Sequence, residues 1–265
     1  MVETPISTQE PSFFGWPGPA SEPAPALSVV APMYNEAGGA LRLVNEIAQA
    51  LAGIDHEIIV VDDHSDDETA SLLENAMDAF NQLRVLRHGE NAGQSRAIRT
   101  GVLAARAPII AMLDGDGQND PADLPMLYEK LIAGREGVSV AMVAGERVTR
   151  RDNVAKRWAS SLANGLRRRL LKDGAMDTGC GLKVFYREAF LRLPYFDHMH
   201  RYLPALMRRE GFQVEFMPVS HRPRVHGASK YTNLGRFLVA LRDILGVMWL
   251  ISRSKSPKSV TETRD

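Results

Sequence analysis

A single cysteine, Cys180, stands in the 265 residues. One thiol forms no intrachain disulfide, and a cysteine-rich zinc site is excluded with it. Net charge is missing as well. The 32 Lys and Arg balance the 32 Asp and Glu, so no global basic field marks a nucleic-acid binder. Long apolar runs are absent. The best, Phe237 to Ile251, has 15 residues and contains Arg242 and Asp243. That falls short of the ~18–20 apolar residues a membrane-spanning helix requires. The first 25 residues hold no Lys or Arg and no continuous apolar stretch, so no secretory signal is expected. Two nucleotide motifs are also lacking. No Gly-x-Gly-x-x-Gly follows the first apolar run, and no Gly-x-x-x-x-Gly-Lys occurs, which argues against a nicotinamide enzyme and a phosphate-loop enzyme.

What remains is ordinary globular composition, 45% hydrophobic and 24% charged. The length fits one core domain with appendages. Residues 1–25 are rich in Pro, Ser, Glu and Ala and read as a disordered arm. Residues 26–230 form the expected domain, and 231–265 an amphipathic helix with a basic tail.

Short apolar runs recur: Leu27 to Pro32, ended by proline, Glu57 to Val61 and Pro108 to Leu113, each followed by acid, and Arg84 to Leu86 and Val138 to Ala144. Each reads as a buried strand. Between them Leu41, Val44, Ile47, Ala48 and Leu51 repeat at helical spacing, and Gly93 to Arg106 is a second helix. Ser65 and Glu68 have the spacing of a capping box that would start a further one. Asp120-Pro121 with Asp123 marks another helix start. The second half gives helices near Asp152 to Lys172, Tyr202 to Arg209 and Asn233 to Ile251, with strands at Leu182 to Phe185 and Phe212 to Val219. Strands alternating with helices imply an α/β fold, a mostly parallel sheet flanked by helices. Such sheets bind ligands at the carboxyl ends of their strands.

Acids collect at those ends. Asp114-Gly-Asp116-Gly-Gln118 closes an apolar strand with two carboxylates one residue apart. Paired carboxylates are hard oxygen ligands for Mg²⁺ or Mn²⁺, which then share phosphate oxygens with a substrate. Asp120 and Asp123 fit helix capping instead. Val61-Asp62-Asp63-His64 follows a second strand. A carboxylate there either accepts from a base or ribose or shapes a polar turn, and His64 reads as a turn residue. After the first strand comes Pro32-Met33-Tyr34-Asn35-Glu36. Tyr34 can stack on a base and Glu36 can bind ribose, while Asn35 can cap a helix.

Taken in order, these segments resemble the family 2 glycosyltransferases of the GT-A fold, in the dolichyl- or polyprenyl-phosphate sugar transferase branch. The resemblance spans roughly Leu27 to Ile251. Pro32, Tyr34, Asn35 and Glu36 match the opening segment, and Asp62 with Asp63 the double-aspartate turn. Asn91, Gly93 and Gly101 match a glycine-rich entry. Asp114, Asp116 and Gln118 match the metal motif. Arg147 matches an arginine after the fifth strand. Asp177 to Lys183 resembles a later segment, with Lys183 where arginine is common. Arg224 to Tyr231 matches an arginine, glycine, serine, lysine motif.

The resemblance implies a metal-dependent inverting transferase. It would use Mg²⁺ or Mn²⁺ and a UDP- or GDP-linked sugar, and its acceptor would be a polyprenyl phosphate. Asp116, Arg147, Arg224 and Lys230 would be catalytic. Pro32, Tyr34, Glu36, Asp62, Asp63, Asp114, Gln118 and Ser229 would bind the donor. Asp114, Asp116 and Gln118 would hold the metal. A cytoplasmic location, peripheral to the inner membrane face, follows, with a homo-oligomer or a membrane-protein partner open. The other readings are a same-fold transferase to a soluble or polysaccharide acceptor, a non-catalytic nucleotide-sugar binding protein, and a nucleotidyltransferase.

Two helices bear on the membrane. Leu234, Phe237, Leu238, Leu241, Ile244, Leu245 and Met248 form an apolar stripe that suits either a membrane interface or a packed core. Arg147 to Lys172 carries nine Lys or Arg against one acid, Asp152. Trp158, Leu162, Leu166 and Leu170 lie along one face there, as in a basic amphipathic helix that meets anionic lipid.

Overall fold

The computed structural model describes residues 24–134, 140–147, 167, 169–171, 173–223, 233–255 and 261. Strands β1 (Leu27–Met33), β2 (His56–Asp62), β3 (Leu83–Arg87), β4 (Ile109–Met112), β5 (Val140–Arg147), β6 (Lys183–Tyr186) and β7 (Gln213–Val219) form one sheet. Helices α1 (Ala40–Ala50), α2 (Thr69–Ala76), α3 (Gln94–Ala104), α4 (Leu124–Ala133), α5 (Arg187–Leu191), α6 (Leu203–Arg209) and α7 (Asn233–Arg253) accompany it. Strand order is β3-β2-β1-β4-β6-β5-β7. β1 runs parallel to both β2 and β4, β2 to β3, and β5 to β7. β6 alone reverses, antiparallel to β4 and β5.

The strand runs alternate sides with period two, as a pleated strand must. Val29, Ala31, Ile58 and Val60 join the core beneath α1, α2 and α4, with Leu43, Leu73 and Leu127. Val30, Ile59 and Val61 join the opposite core with Ile98 and Val102 of α3, Phe190 of α5, Leu206 of α6 and Val247 of α7. Both faces are therefore covered, which explains why β1 is buried along its whole length. α3 lies close because Gly101 has no side chain. A Cβ there would stand 2.5 Å from Val30 Cγ1 and 3.2 Å from Val61 Cγ2.

Two local expectations give way. Ser65 does not cap α2, which begins at Thr69. Its hydroxyl is taken by Asp62, and it accepts the Asn35 N–H at 3.0 Å. Asn35 caps no helix either: it turns at φ 58°, its side chain accepts from Asp66 N–H at 2.8 Å, and α1 starts beyond it at Ala40. In both cases tertiary bonds between two loops outcompete a local cap. Asp120 does cap the turn Pro121–Asp123, accepting from Ala122 N–H.

Candidate active site

A cleft of about 340 Å³ opens beyond the carboxyl ends of β1, β2 and β4. Pro32, Met33, Tyr34 and Glu36 line it from β1, Asp63 from β2, and Asp114, Gly115 and Asp116 from β4. Asn91, Gly93 and Gln94 at the start of α3 complete it. Three separate segments thus converge as the topology requires.

The β1 exit and the acid loop are pressed together. A Cβ on Gly115 would collide with the Pro32 carbonyl and stand 2.7 Å from Met33 Cγ. The loop is braced from outside. Asp114 N–H donates to Asn119 Oδ1 at 3.1 Å, and Gln118 N–H to Asp116 Oδ1 at 3.1 Å. Arg222 N–H donates to the Gln118 carbonyl, and the Arg222 guanidinium grips Asp120 at 2.6 and 3.1 Å and Glu46 at 2.6 Å.

Asp114 accepts from Gln94 Nε2 at 2.7 Å. Burial, then the neighbouring charge of Asp116, pushes its carboxyl up to about 6. Lys183 lies buried behind it with its ammonium on the Cys180 carbonyl. Burial lowers the Lys183 pKa, opposed in part by Asp114 and Asp177. Two carboxylates facing one cleft fit a hard divalent cation. Among the described residues no three His, Cys, Asp or Glu gather to hold a metal. A cation here would therefore complete its shell from water and a bound phosphate, as Mg²⁺ commonly does.

The other anticipated residues divide. Tyr34 and Glu36 line the cleft; the Tyr34 hydroxyl donates to Asp66 at 3.3 Å and Glu36 N–H to Thr69 Oγ1 at 2.9 Å. Asp62 does not line it. Strand alternation turns its carboxylate inward, fully buried, onto Ser65 and Arg87. Gln118 contributes backbone bonds and is not on the cleft wall. Arg147 ends β5 with its guanidinium forked onto Asp177, at 2.5 and 2.8 Å, and that bond raises its pKa before any other influence. Arg224, Ser229 and Lys230 lie outside the described residues, as does most of the basic segment 147–172. Within that segment Arg167 is buried against Asp173 and the Ala175 carbonyl.

Two contributors and one histidine behind α3 escaped the sequence reading. Gln94 reaches Asp114. His88 reaches Asp63 at 2.7 Å and Thr100 at 2.9 Å. His200, half-buried and off the cleft wall, meets Ser95 Oγ at 2.7 Å. The Asn-x-Gly-Gln start of α3 was the available signal for Gln94. No local signal marks the two histidines.

The Glycosyl transferase family 2 model matches residues 28–193, which include every described residue lining this cleft. The chain belongs to glycosyl transferase family 2. Similar proteins include the dodecaprenyl-phosphate galacturonate synthase of Rhizobium johnstonii, 33% identical over 240 residues, covering 87% of this chain and 69% of that protein. The undecaprenyl-phosphate 4-deoxy-4-formamido-L-arabinose transferase of Pseudomonas fluorescens is 31% identical over 230 residues, covering 85% and 65%. The chain thus spans about two thirds of these relatives' length. Among solved structures, the glucosyl-3-phosphoglycerate synthase of Mycobacterium tuberculosis, in complex with Mn²⁺, uridine diphosphate and glucosyl-3-phosphoglycerate, superposes with a TM-score of 0.62. It is 20% identical and covers 89% of this glycosyltransferase and 82% of its own chain. The shared fold is GT-A. Among the described residues no helix is long and apolar enough to cross a membrane.

Proposed function

We propose that this glycosyltransferase moves a sugar from a nucleotide diphosphate onto a polyprenyl phosphate at a membrane surface. The observation that carries the donor half is the single cleft in which Tyr34 and Glu36, Asp63, and Asp114 with Asp116 meet. Kinship with two polyprenyl-phosphate sugar transferases supports the acceptor half.

Tyr34 offers a ring to a base and Glu36 an acceptor to ribose hydroxyls. Asp114 and Asp116 would hold Mg²⁺ or Mn²⁺, and Gln94 fixes the Asp114 carboxylate for that task. The bound cation would neutralise charge gathering on the departing diphosphate. A phosphomonoester acceptor, with a second pKa of ~6, is largely ionised at neutral pH. Its oxygen can attack the anomeric carbon without a protein base. The C1–oxygen bond to the diphosphate breaks with its electrons leaving on the nucleotide, and in-line attack inverts C1. Arg147, held by Asp177, and Arg224 and Lys230 of the following motif are assigned to the phosphates.

α7 supports the membrane half. Its inner face packs Val247 and Ile244 on the core, while Leu245 and Trp249 are 58% and 63% exposed. Such a helix can lie in an interface.

The test is transfer of labelled sugar from UDP- and GDP-linked donors into organic solvent, with polyprenyl phosphate and Mg²⁺ or Mn²⁺. Metal-dependent label in the organic phase is expected. Asp116→Ala should reduce it at least about 1,000-fold. Near-normal turnover in that variant sinks the metal assignment. Label that stays in water-soluble product points to a soluble acceptor.

A further inference from the structure

Asp63 is held from three sides. Its Oδ1 accepts from His88 Nδ1 at 2.7 Å and from Ala92 N–H at 2.9 Å. Its Oδ2 accepts from Gly93 N–H at 2.8 Å. A carboxylate has about four acceptor positions over two oxygens and no donor. Oδ1 is therefore full among the described residues, and Oδ2 keeps one position on a side chain that lines the cleft. Because the carboxylate only accepts, His88 Nδ1 carries the hydrogen. Its other nitrogen meets the Thr100 hydroxyl at 2.9 Å, on the second turn of α3. His88 N–H also donates to the Asp62 carbonyl at 2.9 Å. One ring thus ties the ends of β2 and β3 to α3, and it does so on the oxygen that a two-donor ligand would need.

We propose that His88 is a positioning residue that saturates Oδ1 of Asp63 and so sets the cleft to read a base with one N–H donor, as uracil presents at N3. Guanine presents two adjacent donors on its pairing edge, N1–H and N2–H₂. A carboxylate reads such a pair with both oxygens in a fork, as it reads arginine. With Oδ1 occupied, the fork is closed. The inference rests on the cleft being the donor site and specifies the donor as a uridine diphosphate sugar.

Binding of free nucleotides to the full chain by calorimetry, in Mg²⁺, separates this from the transfer reaction. The probes are UDP, GDP and UDP methylated at N3. Wild type should hold UDP at least about tenfold more tightly than either other probe. His88→Gln keeps a partner for Thr100 but moves the donor away from Asp63. His88→Asn keeps an N–H close to where Nδ1 stood. The glutamine variant should lose about tenfold in UDP affinity and narrow the UDP-to-GDP ratio, since Oδ1 is then open. The asparagine variant should restore both. In the transfer assay His88→Gln should raise the donor KM more than it lowers kcat, because the base is remote from the reacting carbon. GDP or N3-methyl-UDP bound as tightly as UDP by wild type overturns the proposal. So does a folded His88→Gln protein with the wild-type ratio. Failure to bind any of the three takes down the donor-site reading itself.

Discussion

At the scale of single residues, the cleft depends on groups with no room to move. A Cβ on Gly181 would run into the Asp114 carboxylate. Gly181→Ala must therefore displace Asp114, and if Asp114 holds the metal as proposed, a misplacement of ~1 Å can cost about 100-fold. The variant is expected to lose at least about that factor in kcat while its melting temperature moves by only a few degrees. An active Gly181→Ala enzyme would mean that Asp114 tolerates a shifted position. The sequence made Asp114 and Asp116 readable because acids at the end of an apolar strand have few other reasons to be there. It did not make Gly181, His88 or Gln94 readable. Gln94 and Asp114 are 20 residues apart, and His88 and Asp63 are 25 apart. Only the folded sheet brings them together. Asp62 and Asp63 are the instructive pair: adjacent acids point to opposite sides of the chain, so one faces the cleft and the other is buried on Ser65.

At the scale of elements, alternating apolar runs and helical periods already disclosed the β/α order through β5. Those signals are local, and burial of β1, β2 and β4 on both faces makes their runs continuous. The polarity of β6 was not disclosed. Direction in a sheet is decided by pairing with β4 and β5, and the run Lys183–Tyr186 carries no mark of it. Packing of α3 on β1 and β2 yields a second prediction. Gly101→Ala drives a methyl to 2.5 Å from Val30 Cγ1, and overpacking of this kind costs about 1–3 kcal/mol. Urea denaturation should report that loss, with kcat per folded molecule nearly unchanged. A stability equal to wild type would mean that α3 slides freely, which the bonds from Gln94 to Asp114 and from Thr100 to His88 argue against.

At the scale of the whole molecule, His200 and Glu57 lower stability in acid, while Asp114, its carboxyl pushed up to about 6, takes up its proton first in the folded chain and opposes them. His200 is kept neutral, well below the ordinary histidine range, mainly by burial and then by the charges of Arg201 and Lys183. Its contribution is complete above the unfolded pKa of ~6.5 and is lost as pH falls below it, because the unfolded chain takes up the proton first. Glu57 is also depressed. Burial opposes its charge, but bonds from Ser28, the Arg106 N–H and Arg84 outweigh that. Its contribution holds above about 4.5 and fades as pH falls through its lower folded value. The His200 and Glu57 contributions should therefore begin to fall near pH 6.5 and fall further below about 4.5, with Asp114 offsetting part of the loss below about pH 6. His200→Gln should flatten the upper limb only. An unchanged slope between pH 5 and 6.5 in that variant would remove His200 from the account.

The surface makes the last demand. α7 uses its inner face on the core, the packed role weighed for this helix from its sequence, and its outer face is where the interface role is to be tested. Leu245 and Trp249 remain outward, with Leu241 beside them. An isolated exposed leucine needs no explanation, but three large apolar side chains on one helix in contact with water do. Burying a leucine or tryptophan in an acyl boundary gains roughly 1.5–3 kcal/mol each. Leu245→Glu with Trp249→Glu should therefore weaken binding to vesicles containing anionic lipid by at least about tenfold. The cleft is built on β1, β2, β4 and α3, none of which these two substitutions touch. Transfer to a detergent-dispersed polyprenyl phosphate should accordingly persist in the double variant while transfer on vesicles declines. If both decline together, α7 shapes the acceptor site itself. If vesicle binding survives, another surface meets the bilayer, and the basic segment between Arg147 and Lys172 is the next to test.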